Sequence, residues 1–506
     1  MLYLIGIDIG TSGTKAIALT PEGQVLNTGH VSYEISSPAP GAQELDPNKL
    51  LDATVQCLSS IIKTTDRKYE LSGISFSSAM HSLMAVDKDG KPLTNIITWA
   101  DLRSKGKAAA IRNTQEGRKI YERSGTPIHP MSPLCKLMWM NETQPEIFQR
   151  AFKFISIKEF IWFNFFGKYQ VDYSLASGTG LFDIYELKWF EPSLRMAGIQ
   201  LTNLSEAVSP TYQEQSLSDQ YKSALGLNEP IPFIIGGSDG CLANLGSNAM
   251  EPGALSLTIG TSGAVRLVTR TPKPDIQQRI FNYILTEDWI VSGGPINNGG
   301  NAVKWWIENF VEQGKNGLKN FDDHVRNTNS VPAGSDGLIF LPYLFGERAP
   351  IWDANARAVF FGILPNHGSQ HFLKALLEGI GFSLYQIALS LEETVGPIDK
   401  VLASGGFIQS ETWLQIIADI FNKNVFVMNV ADASAIGAAI MGYYSIGVIR
   451  KLEEGSGMIQ DHRVFEPNAQ SHQRYMQNFS IYIRLYEKLK DEFELEDSGS
   501  TQLEHP

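Results

Sequence analysis

The sequence predicts a mixed α/β protein of two related domains, and three observations carry that prediction. The chain has 506 residues, more than one hydrophobic core usually serves. A five-residue string, IGTSG, occurs twice, at Ile9–Gly13 and Ile259–Gly263. Stretches suited to strands also alternate with stretches whose apolar residues recur at helical spacing.

The repeated string sets the organisation. Each copy follows an apolar, β-prone run, LYLIGID before the first and ALSLT before the second. Each leads into another such run, TKAIAL and AVRLV. Both therefore read as strand, tight turn, strand. One copy opens each half, as two facing, related domains would require. The copies differ at one position, where Asp8 precedes the first and Thr258 takes its place in the second. We set the boundary near Gly246, which gives domains 1–245 and 246–506.

The helical stretches come next. Phe372, Leu376, Ile380, Leu384, Ile387 and Leu391 share one helical face. Tyr475, Phe479, Tyr482, Tyr486, Leu489 and Phe493 do the same near the C-terminus. Both stripes read as core. LIFLPYLF, from Leu338 to Phe345, reads as a short buried strand leading to a loop, and AIGAAIMG, from Ala435 to Gly442, as close helix packing. The tail EDSGSTQLEHP, Glu496 to Pro506, is expected to fray.

Composition narrows the function classes. Hydrophobic residues at 43% and charged residues at 19% suit a globular protein. No apolar run approaches the roughly 18 residues of a membrane span, and the apolar N-terminus lacks the positive segment of a signal peptide. Cys57, Cys135 and Cys241 are far apart and odd in number, which fits buried thiols in a reducing cytoplasm. The net charge of −12, without a long basic run, argues against nucleic acid. An acidic protein that binds anions must use Gly-rich turns, helix N-termini and a few placed cations.

Those devices are present. Small residues in the IGTSG turns let backbone N–H groups approach a phosphate, and Thr11, Ser12, Thr261 and Ser262 add hydroxyls. Neither turn is a GxxxxGK[ST] loop, and no GxGxxG opens a helix. Asp8 could hold Mg²⁺ through water or cap its turn. GGSDG, Gly236 to Gly240, sets one carboxylate among small residues after an apolar strand. Asp239 there is either a turn residue or a base that accepts a hydroxyl proton. GGPINNGG at Gly293–Gly300 and GGFIQS at Gly405–Ser410 allow a backbone to pack against a flat ring.

Together these segments resemble the FGGY carbohydrate kinases over nearly the whole chain, from Ile5 to about Val464. IGIDIGTSGTKA is similar to the family's first phosphate motif. SSAMHSLMAVD at Ser77–Asp87 and ITWADLRS at Ile97–Ser104 are similar to its substrate segment. TPIHPMSPLCKLMWM at Thr126–Met140 resembles its first signature, and GERAPIWDANARAVFFGI at Gly346–Ile363 leads into its second. Thr143 and Leu376 depart from the two signatures. The resemblance implies two ribonuclease-H-like domains, the superfold of actin and hexokinase, flanking a catalytic cleft that holds ATP–Mg²⁺ and a sugar.

Carried over by motif, it implies Asp239 as base and Asp8 near the metal. Thr11, Ser12 and Lys15 would form the first phosphate loop, with Gly260 and Thr261 at the other phosphates. Gly300 and Lys304 would meet the nucleotide, and Gly405, Gly406 and Ser410 the adenosine. Met80, His81, Trp99, Asp101 and Arg103 would meet the sugar. The pairing of SSAMHS, ITWADLRS, GTPIHPMSP and PINNGG is similar to the gluconate-phosphorylating branch and implies transfer to the 6-hydroxyl of D-gluconate.

An acidic sugar independently needs a local cation, and His81, Arg103 and Lys136 are candidates. The plain alternatives are a surface salt bridge for Arg103 and a snorkelling stem for Lys136. Another sugar or polyol, such as xylulose, stays open as substrate. A nucleotide-regulated chaperone or actin-like protein would keep the turns but not the MH…W-D-R segment. A homodimer is compatible with the sequence.

Overall fold

The computed structural model describes residues 1–311, 321–428, 432–458 and 461–499. The chain gathers into two compact units. The first comprises Met1–Pro252, Val268–Ser292 and Val430–Gln460, and the second Gly253–Leu267, Gly293–Asn429 and Asp461–Pro506. Each unit is thus assembled from separate stretches of sequence.

The first unit is built on six strands: β1 (Leu2–Ile9), β2 (Gly13–Leu19), β3 (Val25–Ser32), β4 (Glu70–Ser78), β5 (Gln213–Glu214) and β6 (Phe233–Ser238). Their order is β5-β6-β4-β1-β2-β3. β1, β2 and β3 form an antiparallel meander, and β1, β4 and β6 run parallel. β1 reads as a nearly continuous apolar run because both faces of the sheet are covered. On one face lies the helix Pro47–Thr64, started by the Asp46 side chain on Asn48 N and by Pro47 in its first turn. It packs Cys57, Leu58 and Ile61 into a core with Ile5, Ile7 and Phe76. On the other face the helix Ala433–Ser445 crosses β1 and β4. Gly6 allows that approach, since a Cβ there would sit 1.9 Å from the Ala435 carbonyl oxygen. Gly437 likewise lies on the Leu242 carbonyl of the helix Asp239–Gly246, so AIGAAIMG is indeed a close helix contact.

The second unit repeats the opening. β7 (Ala254–Ile259) and β8 (Gly263–Thr269) are antiparallel around the second IGTSG turn. β9 (Lys400–Ser404) runs parallel to β7, β10 (Val425–Met428) parallel to β9, and β11 (Asp461–Phe465) antiparallel to β10. The helices Ser369–Thr394 and Ala469–Gly499 carry the two expected apolar stripes. Leu376, Ile380, Leu384, Ile387 and Leu391 are fully buried, and Tyr475, Phe479, Tyr482 and Phe493 nearly so. One expectation needs correcting. Ser369–Thr394 is long and apolar enough to cross a membrane, yet 78% of its most apolar window is buried within the protein, as befits a core helix. The last helix runs to Gly499, so part of the expected frayed tail is helical and its final residues, 500–506, lie outside the described residues. LIFLPYLF contains the buried strand Ile339–Leu341.

The duplication reaches the level of single hydrogen bonds. In the first unit Asp8 of β1 stands opposite Ser77 of β4, and the Ser77 hydroxyl donates to Asp8 Oδ1 at 2.6 Å. In the second, Thr258 of β7 stands opposite Ser404 of β9, their hydroxyls 2.9 Å apart.

Candidate active site

The first unit brings together Asp8, Lys15, Asp239 and Asp432. The first turn is closed by Gly10 N on Gly13 O and braced by the Tyr33 hydroxyl on Gly10 O at 2.7 Å. Its backbone is thereby fixed, while Thr11 stays partly exposed and Ser12 exposed. Lys15 Nζ, half-exposed, pairs with Asp432 at 3.0 Å. Asp432 caps the helix Ala433–Ser445 by accepting from Ala435 N. Asp8 is buried. Burial first, then the Asp432 and Asp239 carboxylates, push it up to about 8, against the Ser77 hydroxyl and the Lys15 ammonium. Sequence reasoning missed Asp432. The available signal was an Asp just ahead of a helical run of small residues, a common N-cap.

Asp239 directly follows the end of β6 at GGSDG. Ser238 caps the helix that begins at Asp239 by accepting from Cys241 N, so Asp239 stands in the first helical turn, where a carboxylate is favoured as the anion. Its own Oδ1 accepts from Gly240 N at 2.7 Å. The Ser238 hydroxyl lies 2.9 Å from that of Ser174.

The substrate-type segment lies in the same unit. His81 adopts a left-handed backbone, φ 62°, a conformation few non-glycine residues take. Its Nδ1 is 2.7 Å from Gly178 O, and Nε2 faces the Tyr283 hydroxyl at 3.5 Å. Met80 is buried and Trp99 partly exposed. Asp101 is fully engaged, accepting from Gln43 N, Arg103 N and Arg103 Nε. Arg103 also reaches Glu44 at 2.6 Å and lies over the Trp139 ring. Its pairing is largely buried, so the surface-bridge alternative is set aside.

Lys136 does not snorkel. It is buried, and Nζ donates to the carbonyls of His81 at 2.5 Å and Thr98 at 2.8 Å. Burial pushes its ammonium down to about 7, opposed by Asp101 and assisted by Arg103. Lys136 therefore grips the backbone at both ends of the segment that carries His81 and Trp99.

In the second unit, Gly260 N bonds Ser262 O, and Gly300 N bonds Gly260 O, both at 2.8 Å. This ties the GGPINNGG loop to the second turn. Gly260 and Thr261 are exposed, and Lys304 is exposed with Glu308 at 3.8 Å. Glu347, fully buried, accepts from Asn297 N, Arg348 N and the Asn298 amide, which fixes the loop from behind. Gly405 has φ 96° and ψ −178°, and a Cβ there would lie 2.6 Å from Ile259 O. Gly406 is open to solvent. Ser410 lines a cavity of about 650 Å³ together with Arg326, Asn329, Gln409 and Arg463.

Among the described residues, no group of three or more His, Cys, Asp or Glu side chains is arranged to hold a metal. A single carboxylate remains compatible with Mg²⁺, which keeps several waters and takes one or two carboxylates beside phosphate oxygens. The excess of carboxylate charge around Asp8 suits a cation there.

Comparison with known proteins defines the class. The N-terminal domain model of the FGGY family of carbohydrate kinases matches residues 3–246, and the C-terminal domain model matches residues 255–446. The chain is 40% identical to a gluconokinase of Bacillus subtilis, over 97% of each chain. It is 29% identical to a xylulose kinase of the same organism, over 97% of this chain and 98% of the other. A solved gluconate kinase from Lactobacillus acidophilus superposes with a TM-score of 0.91 at 33% identity, covering 96% of this chain and 98% of the other. These matches define a carbohydrate kinase with a two-domain, mixed α/β fold. The chain belongs to the FGGY family of carbohydrate kinases.

Proposed function

We propose that this kinase transfers the γ-phosphoryl group of ATP to the 6-hydroxyl of D-gluconate, with Asp239 as general base. The observation that carries the substrate is the identity gap: 40% to gluconokinase against 29% to xylulose kinase at equal coverage. Asp239 is supported as base by its place at a strand end and in the first turn of a helix, where its anionic form is favoured. The sugar would lie along Met80, His81, Trp99, Asp101 and Arg103. His81, with its left-handed backbone held by Lys136, is the candidate partner for the C1 carboxylate, because Arg103 is already matched by Asp101 and Glu44.

Thr11, Ser12 and Lys15 would meet phosphate from the first unit. Gly260, Thr261, Gly300, Lys304, Gly405, Gly406 and Ser410 would meet the nucleotide from the second. This divides the labour as sugar and base in the first unit and nucleotide in the second. Asp8 would hold Mg²⁺, which when bound offsets charge on the phosphoryl oxygens. Three buried free thiols support a cytoplasmic location.

Two measurements test the reading. Asp239→Asn should lower kcat roughly 100- to 10,000-fold with ATP binding kept, and retention of more than about a tenth of the activity rules Asp239 out as base. Across gluconate, xylulose, ribulose and glycerol, kcat/KM should be highest for gluconate, since a site built for a carboxylate rejects neutral analogues. A neutral sugar ahead by about tenfold would end the gluconate assignment and leave the kinase class intact.

A further inference from the structure

The strand that delivers Asp239 is broken just before it. β6 pairs in register with β4 at Phe233 and Ile234, loses the register, and resumes at Gly237 and Ser238. The break turns on Gly236, whose φ is 66° and where a Cβ would lie 1.9 Å from Phe76 O. A bulge of this kind takes backbone groups out of the sheet ladder. Here the carbonyls of Ile235 and Gly237 both accept from Lys158 Nζ, each at 2.9 Å. The ammonium also forms an ion pair with Asp172 Oδ2 at 2.6 Å. Lys158 and Asp172 are both buried.

The same ion pair reaches the other side of Asp239. Asp172 Oδ1 accepts from Leu175 N and so starts the short helix Tyr173–Ser177. Ser174 of that helix accepts from Ser238 N at 3.1 Å, and Ser238 caps the helix that Asp239 opens. The charged groups facing Lys158 are Asp172, Glu159 and Asp239; burial lowers the ammonium's pKa, and these three oppose that. A buried ion pair is a poor device for stability, and apolar replacements are often neutral or better. What this pair supplies is two hydrogen bonds at fixed points and a positive charge close to the base.

We propose that Lys158 is a positioning residue for the catalytic carboxylate: its ammonium, anchored by Asp172, replaces the sheet hydrogen bonds lost at the bulge and so fixes where Asp239 points. The proposal rests on Asp239 being the base. The test is steady-state kinetics with gluconate and ATP on Lys158→Met, Lys158→Arg, the double variant Lys158→Met/Asp172→Asn, and Asp239→Asn, with urea unfolding of each. Misplacing a reacting group by about 1 Å can cost on the order of 100-fold. We expect Lys158→Met to lose kcat on that order while KM for ATP stays within about threefold. The acidic limb of its kcat profile should move to higher pH, because a cation that favours ionised Asp239 has gone.

Lys158→Arg should regain part of kcat. The double variant, free of a lone buried charge, should recover stability but not kcat, and it carries the test if Lys158→Met does not fold. A kcat within about threefold of wild type in the folded variant overturns the proposal. So does a loss of kcat that tracks lost stability with an unchanged pH profile. If Asp239→Asn keeps more than about a tenth of wild-type kcat, the base reading falls and the positioning role with it. If Asp239→Asn is inactive while the Lys158 variants work normally, the positioning role alone falls.

Discussion

Replacing Lys136 by Met should change how stability depends on pH, by an amount the structure fixes. The unfolded chain holds this ammonium up to its ordinary value of 10.5, whereas burial lets the folded protein hold it only to about 7. Between those values the unfolded state binds more protons, so this group makes stability rise with pH there. Below about 7 both states are protonated, and the cost of a buried ammonium is paid in full. Each pH unit inside the window is worth about 1.4 kcal/mol. From about pH 6.5 to about pH 9.5, wild type should therefore gain about 3 kcal/mol from Lys136 alone. Methionine has no proton to lose, and every other titrating group is common to both proteins. Losing the two carbonyl bonds costs the variant roughly 1–3 kcal/mol each, but at every pH. Urea unfolding at about pH 6.5, 8 and 9.5 reads the result. The advantage of wild type over Lys136→Met should widen by about 3 kcal/mol across the series. A difference constant within about 0.5 kcal/mol refutes the argument.

Other perturbations separate the two units' proposed tasks. Gly405→Ala forces a side chain into a backbone region that only glycine takes easily, at about 1–3 kcal/mol. With the added clash on Ile259 O, KM for ATP should rise while KM for gluconate holds, as initial-rate kinetics with each substrate varied would report. Asp8→Asn should abolish most turnover, and a thermal-shift titration should show Mg²⁺ with ADP raising Tm for wild type more than for the variant. Arg103→Lys cannot reproduce the fork to Asp101 and Glu44, so kcat/KM for gluconate should drop about tenfold or more.

The sequence made the repeated strand–turn–strand legible because two strings of small residues between apolar runs leave little else to form. It also made the two late helices legible, since their apolar positions recur over several turns. Asp432 and Lys158 were not legible. Each acts through a partner far away in sequence, Lys15 for one and Ile235 with Gly237 for the other, and no local pattern encodes such a meeting. For Arg103 and Lys136 the sequence left a substrate role and a surface role open. Composition offers surface roles for isolated cations, whereas the fold holds Arg103 against carboxylates and buries Lys136 on carbonyls. The units' composition was hidden for a similar reason, because nothing near Asp432 announces that the chain has returned to the first sheet.

That return has a practical consequence for anyone dividing the gene. The helix Ala433–Ser445 is a wall of the first unit, touching β1 at Gly6 and Leu242 at Gly437. A fragment ending near residue 246 would lack it. The bare faces of β1 and β4 and of the helix Asp239–Gly246 would then meet water, and Lys15 would lose Asp432. Such a fragment should aggregate when expressed alone and become soluble when a peptide spanning 430–460 is supplied beside it. Sequence halves and folding halves differ here, so domain-swap chimeras with other family members should exchange the C-terminal return together with the N-terminal half.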